Sequence, residues 1–127
     1  MNGFFAVALG GALGASLRHG AGLLAVRLSP GGWPWGTFSV NVLGSLAMGL
    51  LIGWLALKAD GTAQQTRLFL ATGVLGGFTT FSAFSLEVVM MLRAGHAGKA
   101  ATYAGLSLAL GVAALIIGLW IARKVFA

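Results

Sequence analysis

The sequence holds no cysteine, and its 127 positions include two prolines, two acidic residues and only 8% charged residues. Without cysteine there is no disulfide framework, no thiolate metal site and no cysteine nucleophile. Soluble domains carry about 25% charged residues. At a mean hydropathy of +0.95 this chain has too little polar surface to coat a soluble globule. Cytosolic enzymes, secreted domains and disordered tails are excluded on that ground. Eight Lys and Arg residues give a net charge of +6 but never form a dense run, so a nucleic-acid partner is not expected. Single cations at the ends of apolar segments are instead the usual flanks of membrane spans. His19 and His96 stand alone, without a metal-ligand or catalytic pairing, and no enzyme is expected.

What is present in quantity is apolar sequence, at 58% hydrophobic residues, and glycine, at 21 residues. A membrane-spanning helix needs about 20 mostly apolar residues. Four segments qualify, 4–26, 35–57, 68–92 and 100–121, which predicts an all-α integral membrane protein forming one transmembrane domain over residues 1–127. The first segment lacks a basic leading region and is long for a signal sequence, so it reads as a span. The loops are short, and no extramembrane domain is expected. Trp33 and Trp35 open the second span, Trp54 nearly closes it and Trp120 nearly closes the fourth, an aromatic belt on both faces. Both prolines, Pro30 and Pro34, fall in the first loop, where they disturb no helix.

Orientation is nearly undetermined by charge. The side holding both termini carries Lys58, Arg67, Arg123 and Lys124; the other carries Arg27, Arg93 and Lys99, with Arg18 inside the first span near it. So even a balance gives the positive-inside rule no purchase. It leaves open an ordinary topology with a weak bias, or insertion in both orientations and hence antiparallel dimers. Small residues four apart let helix backbones approach in lipid, as at Gly10/Gly14, Gly49/Gly53 and Gly73/Gly77. These pairs support association between subunits, although tight packing within one subunit explains most of them equally well. Helices packed this closely leave no central pore, so a transport path would run along a subunit interface.

Polar side chains inside spans are costly and face protein or a water-filled path. Thr37, Asn41 and Ser45 recur at one-turn intervals on the second span; Tyr103 and Ser107 begin a similar stripe on the fourth; Thr80, Phe84 and Glu87 share a face of the third, with Phe81 and Ser85 beside them. Following the chain direction, Thr37, Asn41, Tyr103, Ser107, Arg18 and Glu87 all fall in the same half of the bilayer. One subunit then builds half of a polar track, and an inverted partner would supply the rest. Hydroxyls, an amide and an arginine suit an anion, and the positive edges of the Phe81 and Phe84 rings suit one too. A cation path would more often show acidic rings. The same residues have plainer readings: helix packing for the phenylalanines, an interhelical hydrogen bond for Asn41, and mutual pairing for Arg18 and Glu87. The segment GVLGGFTTFSAFSLE, 73–87, concentrates glycine and threonine, which are poor helix formers, and a break in it would free carbonyls able to hold a cation. A straight, glycine-rich packing helix is the alternative.

Three motifs in order, GGALGASLR with Arg18, WPWGTFSVNVLG with Asn41 and GVLGGFTTFSAFS, give the chain a resemblance to the fluoride channel family known as Fluc or CrcB. The resemblance covers essentially the whole sequence. It implies four transmembrane helices with the third broken at mid-membrane, an antiparallel dual-topology homodimer in the cell inner membrane, and passive export of fluoride through two pores. It also implies a structural sodium ion at the dimer centre, held by the backbone carbonyls of Gly76 and Thr79 of each subunit. Phe81 and Phe84 match the phenylalanines lining the pores, Asn41 the pore asparagine, and Tyr103 and Ser107 the start of a polar track. Thr37, Glu87 and Arg18, together with the hydroxyls Thr80, Ser82 and Ser85, take polar positions near the path. Where the family pattern has a further hydroxyl, this chain has Gly111. A proton-coupled exporter of the small multidrug-resistance type is the main rival, and it needs an acid in the first helix, where this chain has Arg18. A non-transporting scaffold would leave the hydroxyl track without a purpose.

Overall fold

The computed structural model describes residues 2–58 and 61–127. Helix α1 (Gly3–Leu28) starts where the Asn2 side chain accepts the Phe4 N–H at 2.8 Å, and it stops just ahead of Pro30, whose ring disfavours helix in the preceding residue. Helix α2 (Trp35–Leu55) follows Pro34 directly. Then α3 (Thr62–Thr66), a π-helical stretch (Arg67–Leu75) and α4 (Gly76–Phe78) run without interruption from 62 to 78. Thr79 and Thr80 are extended, with φ/ψ of −89°/159° and −152°/126°, before α5 (Phe81–Arg93) begins. Gly95, at φ +82°, closes α5. The His96 N–H reaches the Met91 carbonyl and the Gly95 N–H that of Leu92, a Schellman arrangement that turns the chain into α6 (Ala97–Phe126).

No strand occurs among the described residues. Three helical stretches, Trp35–Leu55, Ala63–Arg93 and Ala97–Phe126, are long and apolar enough to cross a membrane, which makes this an all-α, multi-pass membrane protein. Helix α1 is 26 residues long and so has the length to span as well. Arg18 and His19 hold its hydropathy below that of the other three.

Two parallel helix pairs organise the bundle. On α1, a Cβ on Gly10 would stand 2.9 Å from the Cα of Gly73, and one on Gly77 would stand 2.7 Å from the Gly11 carbonyl oxygen. On α2, a Cβ on Gly49 would stand 3.0 Å from the Cα of Gly118, and one on Gly53 would stand 2.6 Å from the Ala122 Cβ. Residue numbers rise together on both members of each pair, so α1 runs parallel to 62–78, and α2 to α6. Lipid tails give apolar side chains no reason to prefer protein, so backbone approach through glycine is what holds such pairs together. The pairs Gly10/Gly14, Gly49/Gly53 and Gly73/Gly77 therefore pack helices inside one subunit. Of the two readings the spacing left open, tight packing within one subunit is the one that these contacts support. The interior left over is small, with Val40 and Tyr103 its largest fully buried side chains, and long apolar faces of α1, α5 and α6 stay exposed.

Candidate functional site

The two extended residues set the local chemistry. In a continuous helix the N–H of Thr80 would bond to the Gly76 carbonyl and that of Ala83 to the Thr79 carbonyl. Neither does so. The Thr80 N–H donates to Asn41 Oδ1 at 2.8 Å, and Asn41 Nδ2 donates back to the Thr80 carbonyl at 2.9 Å. The Ala83 N–H donates to Thr80 Oγ1 at 3.2 Å, which makes Thr80 the N-cap of α5. Arg18 Nε donates to the Gly77 carbonyl at 3.0 Å. The side chain of Thr79 turns back on its own helix, donating to the Leu75 carbonyl at 3.0 Å. Gly76 itself is exposed.

Asn41 also borders a groove of about 260 Å³ between α2, α5 and α6, where it meets Ser45, Phe81, Phe84, Ser107 and Gly111. The Phe81 and Phe84 ring centroids lie 5.8 Å apart at 43°, and Phe81 is 79% exposed. Buried in the wall, Ser107 Oγ has no hydrogen-bond partner. Ser45 Oγ lies 3.6 Å from where a Cβ on Gly111 would stand, so a hydroxyl is present at that level of the groove although residue 111 lacks one. Spacing puts Ser45 on the α2 stripe but does not mark it as a candidate residue. Only the packing of α6 against α2 reveals that it reaches the groove.

Thr37, Glu87 and Tyr103 form a separate cluster. Thr37 Oγ1 donates to Glu87 Oε1 at 2.5 Å, and Tyr103 OH donates to Glu87 Oε2 at 2.7 Å. Arg18 and Glu87 thus have different partners, and the mutual pairing left open by the sequence does not occur. Tyr103 is fully buried, with Phe84 at 5.2 Å on one side and Trp33 edge-on at 5.4 Å on the other. It therefore stands behind the groove rather than in its wall. Thr37 faces two cavities: one of about 290 Å³ with Arg18, His19 and Thr80, and one of about 510 Å³ with Glu87, Trp33 and the first loop. Gly32, which lines the second of these, accepts at its carbonyl from Lys99 Nζ at 2.6 Å. Ser82 is exposed, with its hydroxyl 3.4 Å from that of Thr80, and the Ser85 hydroxyl donates to the Phe81 carbonyl at 2.9 Å. Neither serine lines the groove.

The arrangement thus offers hydrogen-bond donors and aromatic ring edges along an apolar face, two backbone carbonyls released from helix pairing, and no group of three or more His, Cys or acidic residues among the described residues. Comparison with known proteins points the same way. The chain is 73% identical over its full length to a protein of Hyphomonas neptunium named fluoride-specific ion channel FluC. Proteins of the same name from Caulobacter vibrioides and Novosphingobium aromaticivorans are 49% identical over all of the chain and 53% identical over 94% of it, covering the same shares of their own lengths. Residues 5–119 match the family described as CrcB-like protein, Camphor Resistance (CrcB), and the chain belongs to that family.

Proposed function

We propose that this protein is a fluoride-selective channel that passively exports cytoplasmic fluoride across the cell inner membrane, as an antiparallel dual-topology homodimer of four-span subunits with two pores. The observation that carries this reading is the groove in which Asn41 and the Phe81 and Phe84 rings meet on an open apolar face, with the unpaired Ser107 hydroxyl buried in its wall. Fluoride is small and strongly hydrated, so a path for it must replace water with donors. The Ser107 O–H and the remaining N–H of Asn41 are donors, and phenylalanine ring edges are positive. A groove this open cannot strip water from an ion alone. An inverted second subunit covers it and supplies the complementary half of the track.

Thr37 and Glu87 continue the polar lining beyond the groove, with Tyr103 holding Glu87 from behind and Arg18 lending positive charge beside Thr37. Ser82 and Ser85 flank the path on α5. Export needs no coupling, because the membrane potential acts on the anion with about 2.3 kcal/mol per charge per 100 mV, roughly a fiftyfold gradient. A structural sodium ion at the centre of the dimer fits the same residues. The Gly76 and Thr79 carbonyls are hard oxygen donors, their helical partners are engaged elsewhere, and unwound carbonyls of this kind hold sodium in other membrane proteins. When bound, the ion supplies a fixed positive charge that ties together the extended Thr79–Thr80 segments of two subunits at mid-membrane.

The proton-coupled exporter alternative is disfavoured. Helix α1 carries Arg18 and no acid, and Glu87, on α5, has both carboxylate oxygens engaged. The test is passive efflux from proteoliposomes, followed with fluoride-selective and chloride-selective electrodes. Rapid fluoride loss with negligible chloride loss is expected. Absence of fluoride loss from folded protein prepared with sodium overturns the reading.

A further inference from the structure

We infer that Asn41 and the Thr80 hydroxyl are positioning residues for a monovalent cation: each diverts the one N–H that would otherwise occupy a carbonyl of the Gly76/Thr79 pair. The inference rests on the sodium reading above and assigns to these two side chains a task distinct from contact with fluoride. Both N–H groups concerned have identified acceptors. Gly76 pairs in a helix with the Thr80 N–H, which Asn41 Oδ1 takes at 2.8 Å. Thr79 pairs with the Ala83 N–H, which Thr80 Oγ1 takes at 3.2 Å. Asn41 Nδ2 also holds the Thr80 carbonyl at 2.9 Å, so the amide grips one peptide unit at both its polar groups and fixes the extended conformation. Of the two carbonyls between them, that of Gly77 is already engaged by Arg18 Nε at 3.0 Å. Two side chains therefore leave two particular carbonyls without their helical partners, and a third side chain removes the Gly77 carbonyl from the donor set.

In the apolar interior of a bilayer a carbonyl without a partner is costly whether or not protein covers it, so losing either diverting group drives the freed N–H back to its carbonyl. A cation must then displace a hydrogen bond to bind, which weakens its affinity by about tenfold. The intact dimer in detergent is titrated with sodium chloride against N-methylglucamine chloride at constant ionic strength, in the absence of fluoride. The half-saturating sodium concentration is read from the rise in thermal unfolding midpoint. Thr80→Val, which keeps the shape and loses the acceptor, and Asn41→Leu are expected to raise that concentration about tenfold or more. Thr80→Ser, which keeps the acceptor, is expected to restore it. If both Thr80→Val and Asn41→Leu titrate like the unaltered protein, the positioning role is overturned while the sodium site stands. If the unaltered protein shows no sodium dependence, the sodium reading itself falls and takes the positioning role with it. Should Asn41→Leu not fold, the Thr80→Val and Thr80→Ser pair decides the matter.

Discussion

Gly10 and Gly11 are adjacent in sequence, and replacing each with alanine should have opposite consequences. A Cβ on Gly10 would stand 2.9 Å from both the Gly73 Cα and the Val74 N, with the Phe69 carbonyl oxygen also in its way. Carbon atoms at rest lie about 3.5–4.0 Å apart. The α1 backbone and the π-helical stretch would then have to separate by at least 0.6 Å, the difference between 3.5 and 2.9 Å, along an interface built from close backbone approach. Overpacking of this kind costs about 1–3 kcal/mol. The obstacles are backbone atoms rather than flexible side-chain ends, which places the cost toward the upper part of that range. Alanine's better helix propensity returns about 0.8–1.0 kcal/mol, so Gly10→Ala should destabilise the subunit by a net 1–2 kcal/mol, on the order set by those two terms. A Cβ on Gly11 meets nothing within 4 Å. Gly11→Ala should therefore be neutral or stabilising by up to about 1 kcal/mol. Unfolding of the purified protein in mixed micelles, followed by circular dichroism against the fraction of denaturing detergent, measures both. Equal midpoints for the two variants, or a less stable Gly11→Ala, would refute the assignment of glycine to packing inside one subunit.

Three further outcomes are expected. Phe81→Ile and Phe84→Ile should each abolish fluoride efflux from proteoliposomes while leaving a dimer on size exclusion, because isoleucine fills the groove without presenting a positive ring edge; normal flux in both would remove the ring edges from the path. Tyr103→Phe keeps the aromatic packing but leaves Glu87 Oε2 without its donor, at a cost of about 0.6–1.7 kcal/mol for an interhelical hydrogen bond in a membrane protein. That cost should shrink in a Glu87→Leu background, and a double-mutant cycle with no coupling would contradict the geometry. Lys99→Met should cost less than about 1 kcal/mol, since the contact with Gly32 is exposed. It should nevertheless speed amide exchange across residues 29–34, and unchanged exchange would mean that Lys99 does not tether the first loop.

The sequence makes the placement of some candidate residues legible and leaves that of others open, for reasons that differ from residue to residue. The stripe Thr37, Asn41, Ser45 follows from helical periodicity alone, and the weakness of 73–87 as a helix follows from the propensities of its glycines and threonines. What Asn41 does was not legible. The amide type fits a pore donor and an interhelical hydrogen bond equally well, and the distances to Thr80 decide that it grips the backbone. Arg18 and Glu87 were open to pairing because both are charged and fall at similar depth. Their separation depends on which carbonyl and which hydroxyls the packing of α1, α2 and α6 brings to them.

Composition by itself settled that this chain lives in a bilayer, because the balance of apolar to charged residues sets the solvent in which a fold is stable. Glycine spacing likewise settled that helix backbones approach closely, though not which helices meet. Only the tertiary structure decided that the glycine pairs join α1 to 62–78 and α2 to α6 within a subunit. It also decided that Tyr103 stands behind the groove and that Gly76 and Thr79 lose their helical partners to Asn41 and Thr80. Each of these depends on contacts between residues dozens of positions apart, and periodicity carries no information about which face of one helix meets which face of another.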